Sequence, residues 1–496
     1  MGQAMQRPRC PVATALQKTD WVGALTLVKR TWHLAYLALP KEEGGWGFAP
    51  SDFCMPNTRG VAAHEPFANL DDEDDPEDIL SSEKHYAVLA FDGDEIGKWV
   101  SGAKTPAYQD QLADYWDGSG AQRFGARVYF QGQGLTSFLA SRRALSPSYH
   151  LQFSEALSNF ALLCARPVVE AFDGRLIYAG GDDVVALLPA DTALPCAQAL
   201  RMAFQGDNSL AEFLAKHAAR LQSQHEKRAQ KQREQVRIPP SQSAAAEGGL
   251  FSSAGLAPGF LACADRFDQS RRPIPFLVPG PAADCSVGIA MAHFKAPLQD
   301  VVRAAQAAEK RSKHQLGRSA VAVTLFKRSG EILEWGCKWD DGGLALLEAL
   351  LDAMGAGQLS GKFPHRLAEL IEPYLTSGTP LQRDCQPPTA AVLDDSVLDV
   401  FRLEIRAVLD RQTSLKGEAK RALIDRITPL FEYYLDSSAR RFEELLHGFE
   451  ERRARYSECP VKTDFLVHRL SGLLSAVAFA HRTTEKPDSD STPKGN

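Results

Sequence analysis

The sequence predicts an α+β fold, a sheet overlaid by helices and followed by an all-helical C-terminal region. Three observations predict it. Short apolar runs rich in strand formers recur along the first two thirds: YAVLAFD at 86–92, RLIYA and VVALL within 175–188, SVGIAMA at 286–292 and AVAVTLF at 320–326. Between them apolar residues fall at three- and four-residue spacing, as in Leu157, Phe160, Ala161, Cys164 and Val168, or Leu298, Val301, Val302, Ala305 and Ala308. That is the period of a helix with one buried face. Beyond Trp339 convincing strand patterns cease while helical spacing continues to about Arg482, for example at Val467, Leu470, Leu474 and Val477.

Taken in order, residues 1–70 form an N-terminal helical segment carrying Trp21, Leu25, Val28 and Trp32, closed by Pro40 and Gly44-Gly45. Residues 71–84 contain DDEDDPED, a block of like charges that repels itself into a solvated linker. Residues 85–340 read as one β-α-β-β-α domain with further strands, interrupted late in its first helix by Pro167. Its insertion at about 222–283 is first polar and basic, then rich in Pro, Ser and Gly, with little periodicity. The alternation favours a sandwich with helices over one sheet face, ending in the hairpin EILEWGCKW. Residues 341–482 form the helical C-terminal domain, and 483–496 a disordered tail.

Bulk properties narrow the function classes. With 496 residues, 44% hydrophobic and 24% charged, the chain supports several cores. A net charge of -6 excludes a surface that coats nucleic acid by charge alone, so RNA contacts must be local. Nine scattered cysteines without a C-x-x-C pair fit neither a zinc ribbon nor a disulfide scaffold, and suit reduced thiols in a cytoplasmic protein. No long apolar stretch predicts membrane insertion or a signal peptide. The basic stretch Lys216 to Arg237 reads as a solvated helix, because Gln, Glu and Ala interleave its charges and no aromatic platform lies among them.

Two acidic clusters carry the chemistry. DGDEIG at 92–97 ends the first strand, and GGDD at 180–183 is the tip of a hairpin in 173–189. Asp and Gly suit turns, so GGDD alone is consistent with a turn and nothing more. Two such clusters, each flanked by glycine and ending an apolar strand, have little structural purpose, since crowded carboxylates repel. If the hairpin pairs with the first strand, Asp92, Asp182 and Asp183 converge at one sheet edge. That is how two divalent cations about 4 Å apart are clamped for phosphoryl transfer. Gly180 and Gly181 permit positive φ and close approach of a substrate. The amides at the start of the following helix, Gly93 to Gly97, form an anion site. Lys310 and Lys313, near the end of the helix after SVGIAMA, are within reach of a triphosphate, although basic residues at a helix end also suit its dipole.

FDGDEIGKWVSG, LIYAGGDDVVALLP and SVGIAMAHFKAPL, in that order, resemble the second palm domain of the large subunit of type III CRISPR-Cas effector complexes, in particular the Cmr type (III-B). The resemblance covers about residues 85–340, and KTDWVGALTLVKRTW with FCMPNTRG looks like the segment before that palm. It implies a ferredoxin-like palm of the nucleotidyl cyclase and polymerase kind, acting in an RNA-guided antiviral complex. There ATP is converted to cyclic oligoadenylate when target RNA binds. Asp182 and Asp183 are then catalytic. Asp92, Asp182 and Asp183 hold two Mg2+ or Mn2+ ions, with Asp94 supporting. Gly93, Glu95, Ile96, Gly97, Gly180, Gly181, Lys310 and Lys313 line the ATP site. The implied partners are other effector subunits, guide RNA and target RNA. No His-Asp dipeptide occurs, and the segment before Asp92 is short, so neither an HD nuclease nor a first palm is expected in this chain. Whether synthesis then needs a partner palm is left open by the sequence. Two other readings share these residues: a non-catalytic scaffold subunit of the complex, and a free-standing nucleotide cyclase.

Overall fold

The computed structural model describes residues 57–64, 84–111, 126–233, 251–252, 256–263, 273–375, 391–451 and 462–484. The expected helix around Trp21–Trp32, the acidic linker up to residue 83 and the tail beyond Thr484 lie outside the described residues.

A short helix α1 (Thr58–Ala62) precedes β1 (His85–Gly93) and α2 (Ile96–Val100). Helices α3 (Ala126–Gly132) and α4 (Thr136–Ala140) lead to α5 (Pro147–Asn159), which runs through a π turn (Phe160–Cys164) into α6 (Ala165–Glu170). Pro167 was expected to interrupt this helix. The chain instead stays helical, and the π turn just before Pro167 takes up the change in hydrogen-bond register that a missing N–H imposes. The hairpin β2 (Arg175–Ala179) and β3 (Asp183–Pro189) follows, then α7 (Ala193–Gln205) and α8 (Leu210–Arg233). After β4 (Phe251–Ser252), β5 (Phe260–Cys263) and β6 (Ile274–Leu277) come β7 (Cys285–His293), α9 (Leu298–His314), β8 (Ala320–Phe326) and β9 (Ile332–Lys338). The helical region comprises α10 (Gly343–Gly355), α11 (Phe363–Ile371), α12 (Ala391–Gln412), α13 (Gly417–Glu451) and α14 (Lys462–Thr484).

Six strands form one sheet in the order β2-β3-β1-β7-β8-β9. Its β7-β1-β3-β2 half, antiparallel throughout, is the ferredoxin-like palm, and β8 adds in parallel to β7 through the α9 crossover. The stretch expected to be irregular holds the second, three-stranded sheet β4-β5-β6. It closes onto the end of α7, where Gly259 N–H donates to Gly206 O and a methyl on Gly206 would meet Gly259 Cα at 2.6 Å.

Helices cover both faces of the main sheet, not one. Ala87, Leu89 and Phe91 of β1 pack with Phe160, Val168, Leu200 and Phe204 of the α5 to α7 layer, in a core that continues into α10 to α14. The intervening Tyr86, Val88 and Ala90 pack with Val301 and Ala305 of α9 and with Val61 and Ala62 of α1. Strand residues alternate sides, so a run without polar alternation must be covered twice. On β7 the two sets differ in size: Val287, Ile289 and Met291 face the first layer, whereas Gly288, Ala290 and Ala292 face α9. That small face admits α9 very closely, because a methyl on Gly288 would lie 2.1 Å from Glu309 N and 2.2 Å from Ala305 O. Gly288→Ala should therefore destabilise the fold by at least about 2 kcal/mol through overpacking. A urea titration would show it as a lower midpoint at unchanged slope.

Candidate active site

The β1–β3 ladder sets the site. Tyr86 to Asp92 pair in register with Pro189 to Asp183, so Asp92 and Asp183 stand directly opposite and share a face. Gly93 N–H donates to Asp182 O at 3.2 Å, which carries the pairing one step past the strands. Gly180 N–H donates to Asp183 O at 2.9 Å, and Gly181 at φ 90° closes the turn in a conformation that favours glycine. Glycine is also needed at position 93, where a methyl would lie 2.9 Å from Asp182 Cβ. One carboxylate oxygen each of Asp92, Asp182 and Asp183 then lies within 4.8 Å of the others, as the sequence predicts.

Three acids this close affect one another's protonation. Asp183 is pushed up to about 6, first by desolvation and then by its hydrogen bond and charge contact with Asp92. Asp182 is raised too, mainly by burial and further by Asp92. The compensating cation is Lys313, whose Nζ lies 2.5 Å from Asp92 Oδ2 and 2.5 Å from Glu309. Burial pulls its ammonium down, but the hydrogen bonds to Asp92 and Glu309 outweigh that and hold it charged. Asp92 faces α9 because it has the parity of Tyr86, Val88 and Ala90, so Lys313 reaches it from that helix.

The other predicted residues divide. Gly181 has room at the turn, where a methyl would touch only Leu157 Cβ, at 3.9 Å. A methyl on Gly180 would strike the Tyr178 hydroxyl at 1.9 Å, so that glycine accommodates a tyrosine. Lys310 is exposed and Lys313 alone of the two meets the acids. Asp94, expected to support the metals, stands outside the three-acid group. Ser286 Oγ donates to its Oδ1 at 2.7 Å and Ser319 N–H to its Oδ2 at 2.7 Å. The predicted phosphate cradle is narrowed as well: Gly93 N–H donates to Asp182 O and Asp94 N–H to Asp284 O, and α2 is only five residues long. Glu95, at φ 57°, pairs with Lys98 and with Lys104 at 2.6 Å, and the Lys104 hydrogen bond leads in holding it down at about 2. Ile96 packs against Gly93 and the core, and Gly97 is exposed with nothing near its Cα hydrogens.

The sequence pattern did not reveal the residues that surround Asp94. Arg201 Nε and Nη2 donate to Asp284 at 2.7 and 3.0 Å, and Ser319 Oγ makes a short bond to the same carboxylate. Ser286, which opens SVGIAMA, is fully buried. A polar residue in an otherwise apolar strand was the available signal.

The donor set suits a hard divalent cation. Carboxylate oxygens are what Mg2+ and Mn2+ take, and the surplus of negative charge over the Lys313 ammonium leaves room for added positive charge. Since the Asp183 pKa lies above its ordinary value, the proton is held below about pH 6 and lost above it. A cation must displace that proton at low pH. Mn2+ affinity should therefore rise by about tenfold per pH unit up to pH 6 and level off above about pH 7. By the same sign, the metal-free fold loses stability as pH rises between about 4 and 6. Calorimetric Mn2+ titration across that range checks this, and a flat affinity would contradict it.

Residues 85–218 match the family model "Cas10/Cmr2, second palm domain". The "CRISPR system Cmr subunit Cmr2" of Pyrococcus furiosus is 26% identical over 254 residues, 51% of this chain and 20% of that protein. The "CRISPR system CMR subunit Cmr2" of Saccharolobus solfataricus is 40% identical over 65 residues, 13% of this chain and 6% of that protein. The matched stretches thus span a fifth or less of either relative. Among solved structures, "Type III-B Cmr-beta Cryo-EM structure of the Apo state" aligns over 67% of this chain and 34% of the other, with TM-score 0.37 and 13% identity. "Cryo-EM structure of the Type III-B Cmr-beta bound to cognate target RNA" aligns over 71% and 39%, with TM-score 0.38 and 13% identity. No helix among the described residues is long and apolar enough to cross a membrane. Residues 85–218, with the acids of both clusters among them, thus match the second palm domain of the Cas10/Cmr2 family.

Proposed function

We propose that this chain is a palm-bearing subunit of a type III-B CRISPR RNA-guided complex and that its three-acid cluster catalyses nucleotidyl transfer from ATP to make cyclic oligoadenylate. The observation that carries the reading is the convergence of Asp92, Asp182 and Asp183 on one edge of a palm sheet. The 85–218 match and the Cmr2 relatives support the biological setting, with other effector subunits, guide RNA and target RNA as partners.

In the reaction, the 3'-oxygen of one ATP attacks the α-phosphorus of another. The bond from that phosphorus to the bridging oxygen breaks, pyrophosphate leaves, and the hydroxyl proton passes to solvent. Asp92, Asp182 and Asp183 would hold two Mg2+ or Mn2+ ions, which supply charge neutralisation at the transferring phosphoryl group and acidify the attacking hydroxyl. The chain's own part is to position. The turn Gly180–Asp183 presents Asp182 and Asp183 from a two-strand support, and the open space at Gly181 leaves a path for the nucleotide. Lys313 contributes a compact ammonium beside Asp92, which can turn from the carboxylate to a phosphate oxygen. A second palm would bring the second ATP.

The assembled complex, supplied with target RNA, ATP and Mg2+ or Mn2+, should yield cyclic oligoadenylate. The double variant Asp182→Ala with Asp183→Ala should lose at least about a hundredfold in rate, since it strips two of three ligands. Chromatography of the products with mass detection reads the result. Undiminished synthesis by the double variant overturns the site assignment, and ATP binding without product would point to a scaffold role.

A further inference from the structure

Asp94 follows Asp92 by two residues and has the same strand parity, yet its environment is different. It is 5% exposed, and its two oxygens accept from Ser286 Oγ and Ser319 N–H, with Arg318 Nη1 3.6 Å from Oδ1. Turning this carboxylate toward a cation would leave a fully buried hydroxyl and a backbone N–H without their acceptor.

The Ser319 N–H belongs to an unusual turn. Gly317, Arg318 and Ser319 have φ of 76°, 67° and 48°, three consecutive left-handed residues of which two are not glycine. Such a turn persists only where its surroundings hold it. Besides Asp94, Asp284 accepts from Ser319 Oγ, and Trp339 N–H donates to Ser319 O at 3.2 Å. Arg318 N–H donates to Ser312 O at 3.0 Å, which ties the turn to the last turn of α9 at the residue before Lys313. From the other side Arg441 of α13 closes on Gly317 so tightly that a methyl there would lie 2.1 Å from Nη2.

We propose that Asp94 is a positioning residue, not a metal ligand: it clamps the left-handed turn Gly317–Ser319 and so holds Lys313 on Asp92, with Arg441 of the helical region seated on the same turn. The catalytic consequence rests on the nucleotidyltransferase reading. The geometric claim does not.

The test uses the full chain with two readouts that need no turnover. The first is the rate of acylation of Lys313 by an amine-reactive reagent, read by peptide mass spectrometry without metal. The second is Mn2+ affinity by titration. In Asp94→Asn and in Gly317→Ala, which leaves every carboxylate in place, Lys313 acylation should rise by about fivefold or more. Mn2+ affinity should stay within about threefold of the parent or tighten, because a released ammonium no longer competes for Asp92, whereas Asp92→Ala should weaken it by more than about tenfold. Unchanged Lys313 acylation overturns the proposal, and so does a loss of Mn2+ affinity in Asp94→Asn as large as in Asp92→Ala. If Asp94→Asn does not fold, Ser286→Ala removes one donor from the same carboxylate and the same two readouts decide. Absence of any product from the parent complex would refute the proposed function, while acylation and Mn2+ binding would still decide the role of Asp94.

Discussion

The register between β1 and β3 is the constraint on which the site depends. Asp92 and Asp183 are directly opposed on one face, an arrangement that costs free energy in any sheet because like charges across a ladder repel. The ladder holds because the six pairs behind the acids, Tyr86 to Phe91 against Pro189 to Val184, are apolar and mostly buried. Each large side chain removed from water there contributes roughly 1.5–3 kcal/mol, so a few of them outweigh one carboxylate pair in partial contact with solvent. A slip by one residue would carry Asp92 to the face of Phe160 and Phe204, away from Lys313. Hydrophobic packing thereby fixes the placement of charge.

Lys313 gives this arrangement its second property. One ammonium faces the three-acid cluster and leaves it incompletely neutralised, and below about pH 6 a proton on Asp183 lowers its charge further. A proton, an ammonium and a divalent cation all answer the same excess of negative charge. Glu309, one turn before Lys313 on α9, gives the ammonium a second carboxylate and so a defined position.

Local patterns made the strands, the hairpin and the three-acid convergence legible in the sequence. Apolar runs mark buried strands, and GGDD between two of them marks a tight turn. What stayed hidden depends on partners far along the chain. Asp92 and Asp94 have the same residue type, the same parity and a shared glycine, and differ because Lys313 and Asp183 meet the first of them and Ser286 and Ser319 the second. Lys310 and Lys313 differ by three residues on one helix, which decides whether the ammonium reaches Asp92 or solvent. The second helical layer was readable in principle. Gly288, Ala290 and Ala292 on alternate positions of β7 form a face too flat for anything but a closely packed helix, and alternation of size, not of polarity, was the signal. The small sheet in the insertion left less trace, since its longest strands have four residues and carry Pro275 and Gly259 near their pairing.

The helical region is fastened to the palm close to the site. Asp341, just after β9, accepts from Gly343 N–H at the start of α10 and from Lys338 N–H, and it receives Arg469 of α14 at 2.5 Å in a buried ion pair. Arg469 in turn lies over the rings of Tyr434 and Phe465, so its charge is met on more than one side. Desolvation offsets much of the attraction in such a buried pair, but removing either partner would leave a buried charge uncompensated. The same helix that offers Tyr434 to this joint, α13, presents Arg441 seven residues later to Gly317. At 1.5 Å per residue those positions are roughly 10 Å apart on one rigid rod. Arg441 and the Tyr434 joint therefore share one helix, and the turn that Arg441 abuts is bonded through Ser319 to Asp94 and through Arg318 to Ser312, the residue before Lys313.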